Sequence, residues 1–454
     1  MPPRKIRVSL TGADYFLLAL ARPMRQMGLR GDVCRLAVRV EGEIPRARME
    51  AALNQCVTAR LLAGLRLSAG IPFRRWQWIA EPPNSVPLCA APCSWPGNHV
   101  SSIGAAKKRD DCGSDRWSPW LSFHLCPDRE GGTEVSLTWR HALMDARGAE
   151  LLVERLEHGD GHFDVLEHQN ARRQGWRWWL HFPVNLLVTR RSARRITAAC
   201  RAPIAALAPI AAQAPIAAQV PGEDVCLPRR VLHHAIVLSE QETAAADRAS
   251  ESQGAGFRKS LLYLGATVRA VHSILERRGT AGAAYAIPVP IDLRKRGAQG
   301  PCLSNQVTFL FYRVEPELTA SLERTVGALR DQMMDQARDD FPRACAMMMD
   351  MFVRVPLALY SHVLRGPSQG QMASFFFSDL GESSSRLETF LGRPVKSVLH
   401  VPPVVAPPGL SAVFYRFRRR LHCVLSWVDG RLDEEELALL EERLRRDLTA
   451  RGGQ

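Results

Sequence analysis

Lysine is scarce in this chain. Only Lys5, Lys107, Lys108, Lys259, Lys295 and Lys396 occur, so the cationic excess, 60 Lys+Arg against 46 Asp+Glu or +14, is almost all arginine. Arginine beside abundant alanine reads as coding bias as much as selection for a ligand. A basic surface attracts cofactor phosphates, acidic lipid headgroups and nucleic acid alike, and by itself selects none of them. Metal-like cysteine spacing is also missing. Eleven cysteines are scattered, and the nearest approach to a pair, Cys89 and Cys93, has no second Cys/His pair beside it; free thiols and no metal site are expected. No run reaches the ~18 apolar residues of a membrane span, and the first residues carry no apolar signal core. A cytoplasmic protein is the expectation. Neither a glycine-rich phosphate loop nor a paired-carboxylate arrangement stands out, no serine or cysteine nucleophile is recognised, and no fingerprint of a nucleic-acid module accompanies the charge.

What the chain does have is ordinary globular composition, 46% hydrophobic and 23% charged over 454 residues. That length suits two domains of roughly 200 residues each. Residues 34–41 alternate like a strand, and 46–59 carry apolar residues at helical spacing. Residues 76–78 and 120–125 read as strands, and the Cys126 to Thr133 loop leads into a further strand at 134–140. The second half restarts with a strand at 231–238. A helix at 257–278, a strand at 305–314, a methionine-rich helix around Ala346 to Val355 and a hairpin strand ending at Asp429-Gly430 follow. The last helix is capped by Asp433 with Glu436 three residues on, and Leu437, Leu440, Leu444 and Leu448 form its buried stripe. Both halves are α+β.

Between them, residues 172–196 interleave Trp176, Trp178, Trp179 and Phe182 with seven arginines and no acid. Tryptophan and arginine on an amphipathic stretch suit a membrane interface; a helix packing its aromatic face on the core, with solvated arginines opposite, suits the same pattern. Next comes Ala202-Pro203-Ile204-Ala205-Ala206, echoed at 208–212 and 214–218, a six-residue period that reads as a semi-extended linker. The expected organisation is an N-terminal lobe over 1–196, a Pro/Ala-rich linker over 197–222 and a C-terminal lobe over 223–454.

The stretch that carries chemistry is Arg140-His141-Ala142-Leu143-Met144-Asp145. The strand ends, a histidine follows at once, and an aspartate stands four residues later before a helical period begins at Ala149. An imidazole with a pKa near 6.5 takes a proton from a hydroxyl or amine and returns it at neutral pH. Asp145 either steers the ring or holds the loop by pairing with a distant arginine. His233-His234 and His124 lie inside strand-like runs and read as structural. Met347, Met348, Met349 and Met351 read as core filling or as an adaptable channel lining.

With these residues the chain resembles the condensation/acyltransferase superfamily of chloramphenicol-acetyltransferase-like folds, whose members carry His-His-x-x-x-Asp-Gly or His-x-x-x-Asp. Within it, Gly12-Ala13-Asp14-Tyr15-Phe16, Pro288-Val289-Pro290-Ile291-Asp292-Leu293-Arg294, Leu303-Ser304-Asn305-Gln306-Val307 and Phe377-Ser378-Asp379-Leu380-Gly381 resemble elements of the bacterial wax-ester synthase/diacylglycerol acyltransferase branch. The resemblance implies two similar lobes with a tunnel between them, His141 as catalytic base at its middle, and Asp145 salt-bridged to Arg294. It makes Asn305 and Ser378 candidate polar groups of the tunnel wall. It implies direct acyl transfer, without an acyl-enzyme, from acyl-CoA as co-substrate to a lipid-like alcohol, with no other cofactor. A second implied route uses an acyl-carrier protein and an alcohol or amine acceptor; a third is a catalytically silent scaffold that binds a thioester or a partner. No nucleic-acid partner is expected, and residues 172–196 offer a peripheral membrane contact. The chain departs from the pattern at Arg140, where the first histidine stands, at Ala146 in place of the motif glycine, with Gly148 two residues late, and at Asp379 in place of asparagine. Arg140 is expected to lower the imidazole pKa.

Overall fold

The computed structural model describes residues 7–26, 32–68, 75–78, 86–90, 101–103, 120–127, 131–159, 182–208, 231–255, 258–295, 297–298, 300–365, 371–384 and 386–450. Two mixed sheets flanked by helices dominate it. The six-stranded sheet runs Thr389–Phe390, Arg393–Val401, Val33–Val40, Thr133–Arg140, Leu121–Pro127, Leu88–Ala90. The five-stranded sheet runs Phe376–Glu382, Leu410–Phe417, Arg420–Val428, Val231–Val237, Ser101–Ile103. Most neighbours are antiparallel; the Leu88–Ala90 and Phe376–Glu382 edges pair in parallel. A separate antiparallel ribbon joins Tyr285–Asp292 to Val307–Val314.

The sheets do not divide at the midpoint of the chain. Arg393–Val401, from the second half, lies against Val33–Val40 in the first sheet, and Ser101–Ile103, from the first half, lies against Val231–Val237 in the second. Of the Pro/Ala-rich stretch, the described part is docked: Ala205 and Leu207 are buried in the second core, and Ile204 bridges Ala284. Residues 209–222 of that stretch, and 172–181 of the Trp/Arg segment, lie outside the described residues. The later part of that segment is helical, Phe182–Ala199.

The Thr133–Arg140 strand is central and buried on both faces, which puts two polar side chains, Glu134 and Ser136, in the interior. Arg35, on the adjacent strand, resolves this. Its guanidinium pairs with the Glu134 carboxylate and donates to the Ser136 hydroxyl at 2.8–3.0 Å, so buried charge meets buried charge. The opening helix, Gly12–Gln26, packs against the Phe341–Phe352 and Leu357–Arg365 helices. It approaches the former so closely that a Cβ on Gly12 would sit 2.5 Å from Asp350 N. The final helix, Glu434–Thr449, has both halves of its capping box, Glu436 N to Asp433 Oδ1 at 2.7 Å and Asp433 N to Glu436 Oε2 at 3.3 Å. Its four stripe leucines are buried against the Lys259–Arg277 helix.

Candidate functional site

His141 begins the turn that follows the central strand. Its backbone N–H donates to Asp32 O at 2.8 Å, and Leu143 N closes the turn onto Arg140 O at 2.8 Å. Trp139 Nε1 donates to Met144 O at 2.8 Å. From the other half of the chain, Ser304 N donates to Leu143 O at 2.8 Å. The turn is therefore fixed at the seam where the two halves meet.

The ring is partly exposed. Nδ1 is buried and makes no hydrogen bond of ordinary geometry, although the carbonyls of His141 and Met144 lie close enough to favour the protonated ring. Burial pulls the imidazole pKa below its ordinary value; those two carbonyls, Asp145 and Asp32 oppose the shift without cancelling it. The ring is thus neutral at pH 7, the form a base requires. The expected cause, Arg140, is not the operative one. Its guanidinium lies over the Trp120 ring, 5.3 Å from the centroid, and 3.9 Å from Asp32, which also pairs with Arg25.

Asp145 caps the Ala146–His158 helix, accepting from Gly148 N at 2.8 Å. Its two oxygens receive both terminal nitrogens of Arg294, at 2.9 and 3.1 Å, and Gln306 N adds a third contact from the second half at 2.9 Å. Arg294 also donates to Pro301 O at 2.9 Å, and its side chain is 4% exposed. A bidentate, buried arginine–carboxylate pair is geometrically restrictive, so Asp145 holds the turn and leaves the imidazole free of it. A Cβ on Gly148 would lie 2.4 Å from Cys302 O. The glycine of this site is Gly148, two residues beyond the position directly after the aspartate, which Ala146 occupies.

Asn305 and Ser378 do not border the space beside the imidazole. Asn305 is buried: its N and Nδ2 donate to Asp14 Oδ1 at 2.7 and 2.9 Å, and Nδ2 also reaches His141 O at 2.8 Å. It braces the backbone of the histidine. Ser378 lies half-buried on the Phe376–Glu382 strand, paired with Val413. Asp14, which sequence reasoning left in a motif without a role, is the anchor of this brace; it also accepts from Thr11 N at 2.7 Å.

A pocket beside the ring is walled by Leu17, Leu20, Met24 and Arg25 of the opening helix and by Pro403 and Val405, with a cavity volume of about 20 Å³. That is room for one water molecule. As it stands, this pocket is too small for a substrate.

Another cluster, unforeseen from sequence, lies one turn along the motif helix. Glu150 accepts from Ser383 Oγ at 2.5 Å and from His400 Nε2 at 3.1 Å, with Ser383 Oγ 2.8 Å from the same nitrogen. Both partners meet Nε2, so the set is no serine triad, in which the acid holds Nδ1. One pentapeptide, Gly366-Pro367-Ser368-Gln369-Gly370, does carry Gly-x-Ser-x-Gly spacing, contrary to the expectation that no serine nucleophile is marked. It follows the Leu357–Arg365 helix where an elbow needs a strand, and it lies outside the described residues. Among the described residues no group of His, Cys, Asp or Glu is arranged to hold a metal, and no helix is long and apolar enough to cross a membrane.

No protein-family model and no curated protein matches this chain. Solved structures do. The first condensation domain of the calcium-dependent antibiotic synthetase, in complex with a substrate analogue, is 16% identical, with 98% of this chain and 96% of that one covered at a TM-score of 0.63. TRI3 trichothecene 15-O-acetyltransferase from Fusarium sporotrichioides is 12% identical over 98% and 96%, at 0.66. Polyketide synthase associated protein 5 from Mycobacterium tuberculosis is 13% identical over 99% of both chains, at 0.59. The fold is that of condensation domains and acetyltransferases of this kind, over essentially the whole length. This likeness is one of fold and does not single out the wax-ester synthase branch.

Proposed function

We propose that the protein is an acyltransferase with His141 as general base, moving an acyl group from an acyl-CoA thioester to a hydroxyl acceptor, a lipid-like alcohol. One observation carries the reading: an imidazole that burial keeps neutral, at the seam of the two halves, on a turn clamped by Asp145 and Arg294. Nε2 takes the hydroxyl proton as the acceptor oxygen attacks the thioester carbonyl. The C–O bond forms, the C–S bond breaks, and Nε2 hands the proton to the departing thiolate. Donor and acceptor balance the reaction, and no covalent enzyme intermediate is needed. The wax-synthase-like elements support a lipid acceptor. Cytoplasmic placement, with peripheral membrane contact through residues 172–196, belongs to the same reading.

The experiment is release of free CoA from acyl-CoA in the presence of an alcohol. His141→Ala is expected to lose about 100-fold or more, the usual contribution of a positioned base; equal turnover by that variant would overturn the proposal. Because burial lowers the imidazole pKa, the rising limb of the rate against pH lies below about 6.5, with a plateau through neutrality.

Two other readings have their own support. The condensation-domain neighbours favour a donor held on a carrier protein and an ester or amide product; acyl-carrier protein tested against acyl-CoA separates these. The one-water pocket, with Arg140 and Ala146 in the motif, favours a silent thioester-binding or partner-binding scaffold. Calorimetric binding of acyl-CoA without turnover over a panel of acceptors is its signature.

A further inference from the structure

We propose that a concavity along the Phe182–Ala199 helix, lined by Arg190, Arg194 and Arg201, binds a phosphate-bearing ligand. It lies apart from His141 and does not rest on the acyltransfer reading. The helix presents two arginine stripes of different character. Arg191 and Arg195, four residues apart, face Asp339 at 3.6 and 2.7 Å, and Arg195 lies over the Phe341 ring. Arg190 and Arg194, on the neighbouring stripe, have no carboxylate partner among the described residues, and neither has Arg201 just beyond the helix. Like charges four apart on a helix repel. Here two of them, with a third close by, line one hollow.

The hollow is shallow and open to solvent, with a volume of about 770 Å³. Its other walls are small side chains, Ala193, Thr197, Ala198, Cys200 and Ala202. The neighbouring polar groups do not compete for them. Thr197 Oγ1 donates to Ala193 O at 2.9 Å. Cys200 is held neutral by burial, its thiol pKa pushed up to about 11. Arg313 secures the rim by donating to Arg201 O at 2.7 Å, and its own charge is met by Glu315 at 2.8 Å. Arginine forks match phosphate oxygens in pairs, and all three arginines are exposed, so a ligand reaches them directly from solvent.

The shared chemistry is the phosphate group, which a soluble nucleotide or a lipid headgroup can supply. The full chain is titrated at about 0.15 M salt with inorganic pyrophosphate and with adenosine diphosphate. In parallel it is sedimented with vesicles of phosphatidylcholine, alone or mixed with phosphatidylglycerol. The comparison is the Arg190→Gln/Arg194→Gln/Arg201→Gln variant, its fold checked by circular dichroism. Binding of either soluble anion, weakened about tenfold or more in the variant, supports the site with a soluble ligand. Binding to the anionic vesicles alone, lost in the variant, supports it with a lipid source. No binding of any probe, or binding the variant leaves unchanged, overturns it. Since the readout is binding, failure here leaves the His141 experiment untouched.

Discussion

Asp14 is a fully buried carboxylate surrounded by N–H donors, and its nearest consequence is felt at another residue's carbonyl. Burial raises its pKa, and the bonds from Asn305 and Thr11 oppose that rise. Through Asn305 it fixes the backbone of His141. Asp14→Asn keeps the size and one acceptor but turns the second oxygen into a donor that faces Thr11 N–H or Asn305. A buried donor without an acceptor costs about 1–3 kcal/mol, so a lower melting temperature is expected. The test that separates positioning from mere stability is the His141 ring titration by NMR. A loosened turn admits water and returns the imidazole toward its ordinary pKa near 6.5; an unmoved titration would remove Asp14 from the site. Sequence brought His141, Asp145 and Arg294 into view because each stands in a short motif with its own spacing. The roles of Asp14 and Asn305 were not legible, because they arise only where three segments, 11–14, 141 and 305, converge. A polar residue in a motif looks the same in sequence whether it lines a passage or is sealed as a brace.

The motif helix shows a related limit. The family pattern places a glycine directly after the aspartate, yet the close approach to Cys302 O falls at Gly148. In an exposed helix, Gly→Ala gains about 1 kcal/mol from propensity. At Gly148 the opposite sign is expected, a loss of roughly 1–3 kcal/mol from forced overpacking. The added methyl must push the helix away from Cys302 and disturb the N–H that Asp145 caps. Urea unfolding measures it, and a variant as stable as the parent would show that the contact yields. The helix after Asp433 starts where its capping box puts it, whereas the one expected from Ala149 begins three residues earlier, at Ala146, because Asp145 caps it. Helix 46–59 was expected unbroken and is two, Arg46–Gln55 and Val57–Gly64. The break is Cys56, extended at φ −73° and ψ 104°, whose Sγ accepts from Ala59 N at 3.4 Å. A thiol is a weak acceptor and an uncommon cap, so periodicity alone ran through it. The Glu240–Ser252 helix went unremarked although Ser239 and Glu242 form a full capping box, a signal that was there to be used.

Fold class followed from alternating strand and helix periods, but the exchange of strands between the two sheets did not, because pairing partners distant in sequence leave no local mark. That exchange has a thermodynamic consequence in the five-stranded sheet. His233 and His422 stand on adjacent strands there, one fully buried with both ring nitrogens unpartnered, the other stacked on Tyr415 at 4.8 Å. Burial, followed by Arg35 and His234 for the first and by Arg420 and His400 for the second, pushes each pKa down to about 4. An unfolded chain takes up these protons near pH 6.5, whereas the folded one refuses them until about pH 4. Their stabilising effect is therefore complete above pH 6.5 and is lost as the pH falls, by roughly 3 kcal/mol per histidine at the lower limit. Asp379 acts in the opposite direction: burial raises its pKa to about 6, so acidification through that value relieves the fold. The two histidines and Asp379 thus pull in opposite directions between pH 6.5 and 4. Melting curves of the parent and of His233→Leu/His422→Phe, taken across that window, isolate the histidines, since every carboxylate is common to both proteins. The parent should lose stability more steeply than the double variant. Parallel curves would mean that these two rings take protons in the folded sheet as readily as in the unfolded chain.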